Sequence, residues 1–391
     1  SVIISFMKLK TFTKLFYTFQ FFFDFILIYA VEKLFMIDRG LDISQIGILL
    51  FLWSVMTLLL EVPSGALADR WSRRKMLILS GLSFSICYLI WLFSYSFTLF
   101  LLGIFFRTIG GTFASGTLQA YVYDYLKSIK KEFKFEKIWG KGNALRVLGI
   151  GVAVGIGGIL SDISFGLPVI LSAFSVLIVA LVAYLWPEVQ PSKSTEETKY
   201  WQFIKEASKT VLHNKVILKL TLYTAITLTL LASLEEFNDI YLNFLGFSRS
   251  HIGLIFALAG VAQSIASNFA HKFVKHSWFL IHSSAIISVL VLISASLIIH
   301  PLMAIPILFL GVILEFIGVI KEGLIQKEIS SHQRATVSSF NHFVKNLVPG
   351  QLIFGFVASS YNLQLGYAIF AVIGLTYFIT VPFIKLNKLK S

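Results

Sequence analysis

Gly65-Ala66-Leu67-Ala68-Asp69-Arg70-Trp71-Ser72-Arg73-Arg74-Lys75 is a dense charged turn set between two long apolar runs. It reads as a tight cytoplasmic hairpin joining two membrane spans. Small residues at 65, 66 and 68 let two helices approach closely, Asp69 ends the first of them, and the cations at 70, 73, 74 and 75 hold the turn on the positive side of the bilayer.

Outward from that hairpin the whole chain has the same character. Its 391 residues are 57% hydrophobic with a mean hydropathy of +0.81, which excludes a soluble globular protein. Apolar runs recur over residues 12–37, 44–68, 76–94, 97–125, 140–161, 166–186, 216–243, 250–271, 277–298, 301–326, 335–360 and 363–384. Twelve spans leave no room for a catalytic ectodomain. The first run exceeds a signal-peptide core and has no small-residue cleavage site after it, so it is expected to stay as a span. Cys87 is the single cysteine, which excludes an internal disulfide.

The net charge of +13 raises the question of an anionic partner, and the distribution of the cations answers it. With the N-terminus inside, Lys8, Lys10, Lys14, the 70–75 cluster, the lysines of 127–141 and 193–219, Lys272, Lys275, Lys327, Arg334 and the lysines of 385–390 fall on one face. Among the loop cations only Arg39 and Arg249 fall on the other. This positive-inside bias reports orientation rather than nucleic-acid binding, and it places both termini in the cytoplasm.

Pro187 to about Lys215 is the most polar stretch. It divides the chain into residues 1–186 and 216–391, two six-span bundles joined by a cytoplasmic linker, 187–215. Within the linker, Lys199 to His213 has apolar residues at mixed helical spacing, as in a helix lying on the inner surface. An internal repeat supports the division: Ser44-Gln45-Ile46-Gly47-Ile48 opens the second span and Ser250-His251-Ile252-Gly253-Leu254 the eighth, at an offset of 206. Two related halves around a midplane cavity are a recurring plan in transporters.

The 65–75 hairpin resembles the signature loop between the second and third spans of the major facilitator superfamily of secondary transporters, with Ser72 in place of the usual second glycine. Glu61-Val62-Pro63-Ser64-Gly65 resembles the lead-in of its drug-exporter-like branch. Arg107 followed by Gly110 and Gly111 resembles the fourth-span motif whose arginine is linked to proton coupling. Ser115-Gly116 and the stretch from Ala120 to Asp124 also look like that branch. Gly151, Gly155, Gly157 and Gly158 are similar to the glycine-rich motif of the exporters' fifth span, but Ile156 replaces the usual proline and the spacing is one residue short, which weakens the reading of export. Glycines so spaced in an apolar helix are expected to serve close packing. Arg334-Ala335-Thr336-Val337 resembles the entry to the eleventh span.

The resemblance implies an all-α integral membrane fold of twelve transmembrane helices in two pseudo-symmetric six-helix bundles, with the first, fourth, seventh and tenth spans lining a central cavity. It also implies a conformational gate made by Gly65, Asp69, Arg70, Arg73, Arg74 and Thr336, in which the Asp69 carboxylate meets the positive end of the eleventh helix.

Ionisable groups near the bilayer centre cost roughly 2.5–3.5 kcal/mol each, so each needs a partner, a wet cavity or a function. Asp24, Arg107, Glu315 and Lys345 lie midway through the first, fourth, tenth and eleventh spans. Glu32 lies near the outer end of the first, and Glu235, Glu236 and Asp239 in the outer half of the seventh. These eight residues are the expected substrate cavity. Asp24, Arg107, Glu315 and Glu235 are the expected proton-coupling groups, with Asp24 and Arg107 forming an ion pair that opens when the carboxyl takes a proton; a permanently paired structural Asp and Arg is the alternative. Glu235 and Asp239, four apart on one helical face, suit an organic cation, a divalent ion or a rim facing water. No His, Cys and carboxylate set has metal-ligand spacing, and no cofactor is expected.

The function these features point to is proton-coupled efflux of small lipophilic, cationic compounds by a monomer in a bacterial cytoplasmic membrane. Its partners are then the substrate, protons and the lipid bilayer, and not nucleic acid. An importer or facilitator of a nutrient on the same fold, and a transport-dead membrane sensor, are the alternatives. No catalytic constellation supports an enzyme.

Overall fold

The computed structural model describes residues 7–189, 231–270, 272–273, 277–328 and 349–380, and all regular structure among them is helical. Eight stretches of these residues are helical, long and apolar enough to cross a bilayer: Ile43–Glu61, Arg73–Leu92, Phe97–Ser128, Glu132–Ile163, Gly166–Tyr184, Arg249–Ala270, Phe279–Leu297 and Pro301–Ile320. The described residues form two compact units, one drawn from 1–41, 52–197 and 248–257 and the other from 42–51, 198–247 and 258–391. The expected linker lies outside the described residues beyond position 189.

The first span is not the single helix expected over 12–37. It consists of α1 (Leu9–Phe23), an irregular turn at Asp24, a 3₁₀ segment (Leu27–Val31) and α2 (Glu32–Asp38). Non-helical backbone at membrane depth is tolerated where protein satisfies it. Here two serines of α8 (Gly166–Tyr184) do so: Ser172 Oγ accepts from the Ile28 N–H at 3.2 Å, and Ser175 Oγ donates to the Phe22 carbonyl at 3.3 Å. Other carbonyls of this segment turn against glycines of α7 (Phe135–Ile163). A Cβ added at Gly149 would stand 2.4 Å from the Phe21 oxygen, and one at Gly157 only 1.8 Å from the Leu27 oxygen. Gly157 is therefore a close-approach site, as is Gly158 against Gly253, whereas Gly151 has open space around it and Gly155 only an ordinary contact with Ala257.

The fourth span also divides, into α5 (Phe97–Ala114) and α6 (Thr117–Ser128), at Gly116 with φ +68°. Between α5 and α8 lies α4 (Arg73–Leu92), which packs on both. Gly81 seats it on the α8 backbone, where a Cβ would stand 2.7 Å from the Ala180 nitrogen. Toward the end of the unit that carries the 65–75 hairpin, Phe12, Phe16, Phe19, Tyr121, Tyr125 and Trp186 form a buried aromatic core, with Tyr121 stacked on Trp186 at 5.0 Å.

The second unit contains the opening of α3 (Ile43–Arg70), α9 (Asn238–Phe244), most of α10 (Arg249–Ala270), α11 (Ser277–Leu297), α12 (Ala304–Glu328), α13 (Gly350–Ser360) and α14 (Leu363–Thr380). α11 packs on α12 and α14, and α13 on α14. Phe237, Tyr241, Phe354 and Tyr367 make its aromatic cluster.

The repeat at offset 206 extends well beyond the five-residue match that first suggests it. α2 and α9 are both seven residues long and start at 32 and 238. Both end on a left-handed glycine, Gly40 at φ +94° and Gly246 at φ +92°, closed by equivalent bonds, Leu41 N–H to the Met36 carbonyl and Phe247 N–H to the Leu242 carbonyl, each 3.1 Å. Asp42 Oδ1 then caps the Gln45 N–H at 2.9 Å, and Ser248 Oγ caps the His251 N–H at 3.3 Å. Gly47 and Gly253 follow, each against another backbone: a Cβ would stand 2.6 Å from the Gln351 oxygen at the first and 2.7 Å from the Val154 oxygen at the second.

Candidate functional site

The broken first span opens a cavity of about 560 Å³ inside the first unit. Arg107 on α5 forms one wall. Its guanidinium is buried and donates to Glu32 Oε1 at 2.8 Å, and it lies over the rings of Trp53, Tyr29 and Trp91 at 4.7, 5.3 and 5.8 Å. Glu32 opens α2 and is 1% exposed. It sits behind Arg107 rather than on the cavity wall. Its second carboxylate oxygen has no hydrogen-bond partner among the described residues.

Asp24, at the break, does line the cavity, but its partner is not Arg107 as expected. It is ion-paired with Arg146 of α7. Asp24 directly follows the last residue of α1, which packs along α7, and there it meets Arg146. Gln20 and Asn143 bridge the same two helices with a 3.3 Å hydrogen bond. Thr57, Thr108, Thr112 and Gln119 add neutral polar wall, and Phe23, Trp53, Phe84 and Trp139 aromatic wall. Glu61 of α3 is the remaining carboxylate on the wall, exposed and with no ion pair among the described residues.

Of the expected gate, Gly65 is exposed with open space about its Cα. Asp69 and Arg70 are the last residues of α3, and their side chains, like all of Thr336, lie outside the described residues. Arg73 is buried and ion-paired with Asp124 of α6. Arg74 reaches the carbonyls at the end of α8, bonding Tyr184 and, at 3.4 Å, Ala183, and stands 3.7 Å from Glu188. Cations at a helix C-terminus are favourably placed against its dipole. Ser72, where the signature has glycine, caps α4 by accepting from the Lys75 N–H at 3.2 Å.

In the second unit the expected acidic cluster does not share one face. The helix is interrupted at Glu236 and Phe237, so that Glu235 is exposed while Asp239 is 3% exposed in α9. Glu235 accepts from Gln263 Nε2 at 2.8 Å, over Gly311, where a Cβ would stand 2.3 Å from that nitrogen. Glu236 is half-buried and Glu315 exposed on α12. Lys345 lies outside the described residues. Arg146, Trp53, the pairing of Asp124 with Arg73 and the cavity position of Glu61 were not singled out from sequence; the signal available was an arginine inside the apolar run Ala144-Leu145-Arg146-Val147-Leu148, and the Glu61 motif itself.

A multi-pass helical protein with buried ion pairs beside a solute-sized cavity is built as a transport protein. The family model described as Major Facilitator Superfamily matches residues 15–350, and the chain belongs to that superfamily of membrane transporters of small molecules. It is 24% identical over 378 residues to a Bacillus subtilis (strain 168) protein termed an uncharacterized MFS-type transporter, YxaM, covering 91% of this chain and 92% of that one. It is 22% identical over 278 residues to the quinolone resistance protein NorA of Staphylococcus aureus (strain MRSA252), covering 68% and 69%. The solved structure of the nucleoside transporter NupG is similar with a TM-score of 0.79 at 14% identity, covering 98% of this chain and 100% of NupG. A bacterial homologue of the human lysosomal transporter Spinster, inward-facing and occupied, is similar with a TM-score of 0.74 at 17% identity, covering 97% and 96%.

Proposed function

We propose that this transporter has twelve spans in two bundles and exports small aromatic cations against inward proton flow. Its setting is a bacterial cytoplasmic membrane, with both termini inside. The observation that carries the reading is the charge arrangement of the cavity. Arg107 and Arg146 are each matched by a carboxylate, which leaves Glu61 as the acidic group open to a ligand, with Trp53 and Trp139 among the aromatic walls. A protonated amine against Glu61 with its ring on an indole suits that wall. The volume also falls within the range of small-molecule sites, roughly 300–1,000 Å³. The similarity to quinolone resistance proteins supports outward transport of a foreign compound.

For coupling, Glu32 replaces Asp24 as the favoured proton carrier. A proton on its open oxygen would neutralise Glu32 and leave Arg107 an uncompensated buried cation, a state that favours rearrangement of the pair. Asp24 with Arg146 then acts as a second switch on the same wall, and Glu235 and Glu315 are assigned to the second bundle's share of the coupling. Alternating access works by the gate of Gly65, Asp69, Arg70, Arg73, Arg74 and Thr336 closing and reopening the inner side.

Uptake of a polar metabolite is the second reading, favoured by the neutral hydrogen-bonding wall of Gln20, Asn143, Thr108 and Gln119. Energised inverted vesicles separate the two. Collapse of the pH gradient on adding lipophilic aromatic cations, and not nucleosides or sugars, supports export. Acidification or accumulation driven only in right-side-out vesicles by a neutral polar solute supports uptake.

A further inference from the structure

A second cavity, of about 770 Å³, opens at the other flank of the first unit, between the start of α1 and the start of α7. Lys10 and Lys14 project into it from α1, and Lys134, Lys137 and Lys141 from the 3₁₀ turn at Glu132–Lys134 and the first two turns of α7. The spacings 10/14 and 134/137/141 put each set on one helical face. None of the five has an ion pair among the described residues, and no carboxylate lines the groove. Like charges so placed repel one another. Their convergence calls for an anion.

The remaining wall says which anion. Leu9, Tyr17 and Ile138 give the groove an apolar floor, and Phe133, 69% exposed, stands at the rim with the ammonium groups of Lys131 and Lys134 5.6 and 5.8 Å from its ring centre. The floor is held from beneath by Phe16, stacked on Trp139 at 5.9 Å and seated against Gly142, where a Cβ would stand 2.6 Å from the ring. At 29 residues, α7 runs to roughly 43 Å, longer than the roughly 30 Å hydrocarbon layer, so its lysine-bearing end reaches the headgroup region. A free inorganic anion has no use for the apolar floor, whereas a diacyl lipid fills both parts at once.

We propose that this groove binds one anionic phospholipid, its phosphodiester held by the five lysines and its glycerol and upper acyl carbons lying on Leu9, Tyr17 and Ile138. The test uses the purified full chain, delipidated in neutral detergent and titrated with phosphatidylglycerol, phosphatidylcholine or inorganic phosphate, with bound lipid counted by native mass spectrometry. Wild type is expected to bind phosphatidylglycerol about tenfold or more tightly than phosphatidylcholine. The triple variant Lys10→Gln, Lys14→Gln, Lys141→Gln is expected to lose that preference, and Lys127→Gln, Lys130→Gln, Lys272→Gln, of equal net charge, to keep it. Should the groove triple fail to fold, Lys137→Glu alone serves, with the same expected loss. Equal loss in both triples, no preference in wild type, or displacement of the lipid by inorganic phosphate at matched charge would overturn the proposal.

Discussion

Arg107 and Glu32, 75 residues apart, meet in a 2.8 Å charge-assisted hydrogen bond with both side chains almost wholly withdrawn from the surface. Removing one partner of such a pair strands the other charge, at a cost of about 3–5 kcal/mol. Arg107→Ala is therefore expected to lower the thermal stability of the purified protein sharply, while Glu32→Gln, which keeps a hydrogen-bond acceptor, costs less. Thermal unfolding of the two variants side by side checks the order. Equal stability losses would count against the pair as described.

Gly157 and Gly151 lie on the same helix and differ only in what faces them. A methyl at 157 collides with the Leu27 carbonyl, and one at 151 meets nothing. Gly157→Ala should destabilise by about 1–3 kcal/mol or prevent folding, and Gly151→Ala should be neutral or slightly stabilising through its better helix propensity. Expression yield and melting temperature in detergent distinguish them.

Gly40 and Gly246 close the two copies of the repeated connector at φ +94° and +92°. Replacement by alanine at either site forces a left-handed backbone on an L-residue, at a cost of about 1–2 kcal/mol. The two variants are expected to shift the unfolding temperature by similar amounts, and a marked asymmetry would show that the connectors are not equivalent.

Asp42 caps α3 just ahead of the apolar stretch Ile43–Glu61, and the hydroxyl of Ser44, 2.6 Å away, is the largest of the contacts that hold its carboxyl below the usual carboxylate range. A depressed native pKa contributes stability that is fully present above the unfolded value and is lost as pH falls through the native one. Wild type should thus lose stability on acidification below about pH 4 more steeply than Asp42→Asn. Melting curves across pH 3–7 are the check.

Much of this was open to reading in the chain. The hairpin at 65–75, the alternation of apolar runs and the offset between Ser44 and Ser250 are local patterns, and local patterns survive without coordinates. The breaks at Asp24 and at Phe237 were not legible, because residues 17–39 and 231–244 contain neither glycine nor proline to mark them. Distant groups decide the first break, namely Ser172, Ser175, Gly149 and Gly157. The ion-pair partners were not legible either, because they join residues 122 and 75 positions apart: Asp24 meets Arg146 of α7, and Arg107 takes Glu32, which is buried although its place near the end of the span suggested the rim.

On the proposed account, Glu32 carries the proton that substrate displaces. The direct measurement is proton release on adding an aromatic cation to purified protein in weakly buffered detergent solution, followed with a pH indicator, for wild type and Glu32→Gln. Release in wild type that disappears in Glu32→Gln, with cation binding retained by tryptophan fluorescence, is the predicted result. Binding without release in wild type, or release undiminished in Glu32→Gln, would contradict it.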